Sequence, residues 1–142
     1  MDGLHPLYLD DLGLARSLGR LIDGFRAQAP GLRIRMHIDA ALEGLDALFA
    51  HTVYRVVQEA TTNVLKHARA KTADISASVQ EGEIVVQVSD DGIGLPGGTS
   101  FGRGLSGMRE RLRALGGSLE VSSADQRTSV RCRLPYASAS LA

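Results

Sequence analysis

The chain has a single cysteine, four prolines and six phenylalanine or tyrosine residues among its 142 positions. The lone Cys132 excludes an intrachain disulfide. Its place in the alternating run Val130-Arg131-Cys132-Arg133-Leu134 marks it as a small core residue of a strand. No Cys/His spacing suggests zinc. No apolar run approaches the ~20 residues of a membrane span, and the N-terminus lacks the basic-then-apolar order of a secretory signal. The expected compartment is cytoplasmic, whether the segment stands alone or is the cytoplasmic portion of a membrane-anchored protein, with no membrane contact of its own. There is no excess of charge of either sign: 16 Lys and Arg face 16 Asp and Glu, for a net charge of zero. The footprint of a nucleic-acid partner is therefore absent. The one basic cluster, Arg109, Arg111 and Arg113, alternates on a short helical segment and reads as a solvated face. No internal repeat is present.

What remains is the length of one domain and an ordinary globular composition, 44% hydrophobic and 23% charged. An apolar opening from Leu4 to Leu14 is broken by Pro6 and Gly13. Leu14, Leu18, Leu21, Ile22 and Phe25 then recur at helical spacing, up to the stop at Pro30-Gly31. Arg33 to Ile38 alternates like a half-buried strand. Leu45 to about Ala68 is the longest helical segment, with Val53, Val57, Ala60 and Val64 as its core stripe. Thr72–Val79 and Glu83–Ser89 read as a hairpin across Gln80-Glu81-Gly82. The stretch from Asp91 to Gly104 holds six glycines and reads as loop. Leu105 to about Leu115 is helical and stops at Gly116-Gly117. Ser118–Ser123 and Thr128–Leu134 form a last antiparallel pair, and the tail after Pro135 is loose or helical. Five strands and three helices pack most economically as an α+β, two-layer α/β sandwich: a mixed five-stranded sheet covered on one face by the helices.

Three stretches carry chemistry. Glu59 and Asn63, four apart on the long helix, are side-chain neighbours, and Lys66 follows on the same flank. The amide oxygen of Asn63 suits Mg²⁺ once phosphate oxygens complete the shell. Lys66 suits a phosphate as a point charge, and Glu59 suits orienting a water or accepting a proton. By itself this pattern equally describes the polar flank of an amphipathic helix. Asp90 ends the buried run Ile84-Val85-Val86-Gln87-Val88 and can accept from the exocyclic amine of adenine, with Gly92 and Gly94 letting the backbone close on the ring; by itself Asp-Gly also describes a turn. Gly102-Arg103-Gly104-Leu105 enters a helix N-terminus, where free N–H groups and the helix dipole favour phosphate. Its spacing is neither that of a P-loop nor that of a dinucleotide fingerprint. The stretch between Gly94 and Gly102 reads as a lid.

Taken together, these stretches resemble the N, G1 and G2 boxes of the GHKL ATPase superfamily. Within it they resemble the catalytic ATP-binding domain of bacterial sensor histidine kinases of the NarL-partner type. Val57-Gln58-Glu59-Ala60-Thr61-Thr62-Asn63-Val64-Leu65-Lys66-His67-Ala68 carries the first box and Gly104-Leu105-Ser106-Gly107-Met108-Arg109-Glu110-Arg111-Leu112 the third. Leu9-Asp10-Asp11-Leu12-Gly13-Leu14 resembles the segment that follows the dimerisation helices. The resemblance spans about Leu4 to Pro135.

The resemblance implies a GHKL fold, with residues 1–13 as a linker after absent dimerisation helices, 14–135 as the ATP-binding domain and 136–142 as a tail. It implies ATP and Mg²⁺ as cofactors. Asn63 is then the metal ligand, Glu59 the acidic residue that polarises water or supports the metal, and Lys66 and His67 neighbours of the phosphates. Asp90 takes the adenine amine in a pocket shaped by Gly92 and Gly94. Gly102, Gly104 and Leu105 meet the phosphates from the lid side, and Thr128 bonds adenine through water beside Asp90. Two positions depart from the family pattern: Arg127 stands where glycine is usual, and Val64 where alanine is. The implied reaction is transfer of the γ-phosphoryl group to a histidine on a dimerisation domain, with a NarL-type response regulator downstream. None of His5, His37, His51 and His67 fits that acceptor, so the acceptor is expected on another segment. Two alternatives share the boxes: an anti-sigma-factor type of serine kinase, and a degenerate, non-catalytic nucleotide-binding module.

Overall fold

The computed structural model describes residues 5–92, 103–124 and 127–136. Among these, three α-helices and five strands are present: α1 (His5–Gln28), β1 (Arg33–Ile38), α2 (Ala47–Asn63), β2 (Thr72–Gln80), β3 (Glu83–Asp90), α3 (Arg103–Ala114), β4 (Ser118–Ala124) and β5 (Arg127–Pro135). The sheet runs β1-β2-β3-β5-β4. β1 and β2 are parallel, and every other pairing is antiparallel. A parallel pair needs a crossover, and α2 supplies it. The β2–β3 hairpin closes through Glu81 and Gly82, both at positive φ. That is the mirror-image turn whose twist matches the strands.

Period-two alternation divides the sheet into an inner and an outer face. Ile34, Ile75, Ala77, Ile84, Val86, Cys132 and Leu134 are all 4% exposed or less and meet Leu18 and Ile22 of α1, Val53 and Val57 of α2, and Leu105 and Leu112 of α3 in one core. Each fully buried aliphatic side chain contributes about 1.5–3 kcal/mol. Burial pushes the Cys132 thiol up to about 12, consistent with a packing residue and not a nucleophile. The outer face is polar and ion-paired: Arg133 meets Glu83 at 3.1 Å, and Arg131 donates to Gln87 at 2.8 Å.

Three departures from the sequence-based reading are local. The opening segment is helical before Gly13 as well as after it, while the expected break at Gly13 stands: at φ 80° and ψ 166° it divides α1 into two helical stretches across a kink. The long helix ends as an α-helix at Asn63 and continues as one π-helical turn, Val64–Ala68, closed by Arg69 in the left-handed region. The third helix starts two residues early, at Arg103, which places Gly104 in its first turn and not in the loop.

At the α3–β4 junction, a Cβ on Gly117 would lie 2.4 Å from the carbonyl oxygen of Arg133 and 3.3 Å from Leu134 Cα. Both are backbone atoms of a strand held on two sides, so neither can give way. Gly117→Ala is expected to destabilise the fold by about 2–3 kcal/mol, read as a fall of several degrees in the thermal unfolding midpoint.

Candidate functional site

β3 delivers the first candidate group. Asp90 is its last residue, on the inner face, and its register partners are Ala73 on β2 and Thr128 on β5. Asp90 and Thr128 are therefore cross-strand neighbours, and both are buried, at 4% and 5% exposed. Among the described residues Asp90 accepts one hydrogen bond, from Gly92 N–H to Oδ1 at 2.8 Å. Thr128 Oγ1 is buried with no partner among the described residues. A buried hydroxyl without a partner costs about 1–3 kcal/mol, and a carboxylate with one oxygen uncommitted stands beside it. These are the complementary groups that a purine with an exocyclic amine needs, directly or through a water. Burial raises the Asp90 pKa; the Gly92 N–H opposes that, the neighbouring Asp91 adds to it, and Arg127 pulls it down.

Asp91 does a different job. Its carboxylate accepts from Thr72 N at 2.9 Å, Lys71 N at 2.8 Å and Thr72 Oγ1 at 3.0 Å. The Thr72 and Lys71 N–H groups lower its pKa. Two consecutive aspartates thus divide: Asp91 ties the start of β2 to the end of β3, and Asp90 is left facing the inner side.

That tie also locates the second candidate group. α2 packs on β3 and α3. After Asn63 and the π turn, only Arg69, Ala70 and Lys71 separate the helix from β2. Three residues span at most about 10 Å, and β2 begins beside Asp91. The Asn63 end of α2 and the Asp90 end of β3 therefore lie at the same end of the sheet. Asn63 is half-buried and makes no side-chain capping bond. Lys66, in the π turn, is exposed. A π turn widens the helix and is frequent at functional sites; it also shifts Lys66 from the position that 100° per residue gives. Glu59 lies 3.9 Å from Arg55 Nη2, one turn earlier on the same flank. Arg55, Glu59 and Asn63 form an i, i+4, i+8 row, and Arg55 was not singled out from the sequence although that spacing announces it. Asn63 is the one of the three whose amide oxygen can ligate a hard cation without adding charge; the described residues contain no cluster of three or more acidic, histidine or cysteine side chains that would bind one unaided.

The third candidate group is at α3. Leu105, in its first turn, is fully buried, which fixes the backbone around Gly104. The C-terminal end of α3 joins β4 through Leu115–Gly117 at the opposite end of the sheet, where Ser118 pairs with Arg133. The helix therefore runs back with its N-terminal turn directed towards the Asp90 end. Gly92 is half-buried beside Asp90. Gly94 and Gly102, and the side chain of His67, lie outside the described residues.

Residues 50–138 match the family described as histidine kinase-, DNA gyrase B-, and HSP90-like ATPase. The chain is 38% identical over 122 residues to the signal transduction histidine-protein kinase/phosphatase UhpB of Salmonella typhimurium, an alignment covering 84% of this chain and 24% of that protein. It is 35% identical over 125 residues to the oxygen sensor histidine kinase NreB of Staphylococcus carnosus, covering 84% and 35%. The chain thus spans about a quarter to a third of these relatives. In fold it is similar to the histidine kinase domain of the Erythrobacter litoralis EL346 blue-light activated histidine kinase, with a TM-score of 0.75 at 24% identity over 87% of this chain and 61% of that one.

Proposed function

The chain belongs to the histidine kinase-, DNA gyrase B-, and HSP90-like ATPase family, as an ATP-binding catalytic domain of the sensor histidine kinase type, and from that premise we propose that it binds Mg·ATP and passes the γ-phosphoryl group to a histidine carried by a dimerisation domain outside this sequence. Residues 14–135 form the nucleotide-binding unit, 1–13 join it to the acceptor helices and 136–142 trail behind. The downstream partner is a response regulator of the NarL type, and the reaction takes place in the cytoplasm. No helix among the described residues is long and apolar enough to cross a membrane.

The observation that carries this reading is the buried Asp90–Thr128 pair, with its unpartnered hydroxyl, at the end of the sheet where α2 brings Asn63. Asp90 accepts from the adenine amine, and Thr128 completes the contact through water. Gly92 and Gly94 shape the ring's slot. Asn63 would hold the metal through its amide oxygen, and Glu59, paired with Arg55, would orient a water. Lys66 and His67 offset phosphate charge, while the N–H groups of Gly102, Gly104 and Leu105 bind phosphate oxygens at the head of α3. Mg²⁺, when bound, neutralises charge on the β- and γ-phosphates. In the transfer, the bond from the γ-phosphorus to ADP breaks and one to the acceptor imidazole forms, with the imidazole proton passing to an acidic neighbour on the dimerisation helix. This chain's contribution is position and charge.

The test is calorimetric titration with ATP and ADP, with and without Mg²⁺, followed by transfer of labelled phosphate to a separately supplied dimerisation domain. Binding of both nucleotides, strengthened for ATP by Mg²⁺, and labelling of that domain are expected. A chain indifferent to adenine nucleotides would overturn the reading; binding without transfer would leave a nucleotide-binding module.

A further inference from the structure

The row Ala73–Asp90–Thr128 crosses the inner face of the sheet, and the residues immediately adjoining it in sequence, Asp74, Ser89 and Arg127, are joined on the outer face. Arg127 Nη2 donates to Asp74 Oδ2 at 3.1 Å and to Ser89 Oγ at 3.2 Å. Arg35 Nε of β1 donates to the other oxygen of Asp74 at 2.7 Å. One carboxylate therefore bridges two guanidinium groups, and the bonds reach from β1 to β5 across β2 and β3. Ser89 faces outward and is nonetheless only 7% exposed, because the Arg127 side chain lies against it. Arg127 is the first residue of β5, next to Thr128, and pairs with Ala124 at the last rung of the β4 ladder.

We propose that Arg127 is a positioning residue for adenine selectivity: by clamping the first residue of β5 to Asp74 and Ser89, it holds Thr128 at the distance from Asp90 that reading an exocyclic amine requires. This rests on the nucleotide-site reading above. The guanidinium of Arg127 on β5 is anchored two strands away, on β2. Single exposed ion pairs are worth little. Here one carboxylate is shared between two cations and the bond to Ser89 is half-buried, so the clamp is more than one rim pair.

The experiment compares ATP with purine riboside triphosphate, which lacks the 6-amine, by calorimetry on the whole chain. Arg127→Ala is expected to weaken ATP by about three- to fivefold and to leave purine riboside triphosphate unchanged, so that the selectivity ratio contracts. Asp74→Asn, which keeps the shape of the side chain, is expected to contract it likewise, with no further loss in the double variant, and Arg127→Lys to restore part of it. An equal fall for both nucleotides, or an unchanged ratio, overturns the proposal and leaves Arg127 a surface stabiliser. A wild-type chain that does not distinguish the two nucleotides removes the site reading itself, and this proposal with it.

Discussion

Asn63→Asp is expected to abolish the dependence of ATP binding on Mg²⁺. The substitution keeps an oxygen where the amide had one and adds a full negative charge. That charge arrives four residues after Glu59, on the same flank of α2, where like charges repel. On the proposed site reading it also faces the phosphates, whose own charge already has to be neutralised at this point. Arg55 cannot offset both carboxylates, because it already pairs with Glu59 at 3.9 Å and sits two turns away. In wild-type protein, ATP should bind more tightly with Mg²⁺ than without. In the variant the two affinities should converge, with Mg·ATP affinity falling by roughly a hundredfold and phosphoryl transfer lost with it, as expected for disturbing a metal's direct surroundings. ADP without metal should bind both proteins alike, since the adenine end is untouched. Asn63→Ala, which removes the oxygen without adding charge, should behave similarly and so separates lost ligation from added repulsion. An unchanged Mg²⁺ increment in either variant would falsify the metal role of Asn63.

The legible part of the molecule is the part written in short-range periodicity. The alternation in Val130–Leu134 and Ile84–Val88 assigns inner and outer faces before any coordinates, and the helical stripe of Val53, Val57, Ala60 and Val64 is buried as its spacing requires. The mixed five-stranded sheet under three helices follows from that patterning together with short loops. What sequence could not carry is information held in long-range pairings. Asp91 reads as a turn residue, yet its acceptor role depends on donors 19 and 20 positions away. Arg127 reads as a departure from a glycine pattern; its partner Asp74 is 53 residues distant. The π turn after Asn63 is a change of hydrogen-bond register, and Val64-Leu65-Lys66-His67-Ala68 has no composition that distinguishes it from one more α-turn. The break at Gly13 is legible, because that residue does leave helical geometry; what the sequence did not show is that the stretch before it is helical too. Asp90 is recognisable because it sits where a buried run ends, whereas Thr128 enters only through the family resemblance, and only the register shows the two to be direct partners.

That partnership underlies the second large effect. Asp90→Asn should weaken ATP and ADP together, by about tenfold to a hundredfold, while the fold holds or gains. The carboxylate accepts from Gly92 N–H at 2.8 Å and, on the proposed site reading, from the adenine amine as well. Asparagine has one carbonyl oxygen. If that oxygen keeps Gly92, the amide NH₂ meets the adenine NH₂, donor against donor; if it turns to adenine, the same conflict moves to Gly92. Both nucleotides carry the same base, so both must lose, and a loss confined to ATP would contradict the assignment. Stability runs the other way. Burial raises the Asp90 pKa, so the folded state binds that proton more tightly than the unfolded chain does. The ionised group therefore subtracts from stability at neutral pH, and this penalty disappears as pH falls through the raised value. Asparagine carries no such penalty and also relieves repulsion from Asp91. The variant's thermal midpoint should match or exceed that of the wild type at pH 7, and the difference should narrow in acid. A site residue that costs stability when empty and confers binding when filled behaves in this way; a carboxylate retained for the fold would instead lower the midpoint when replaced.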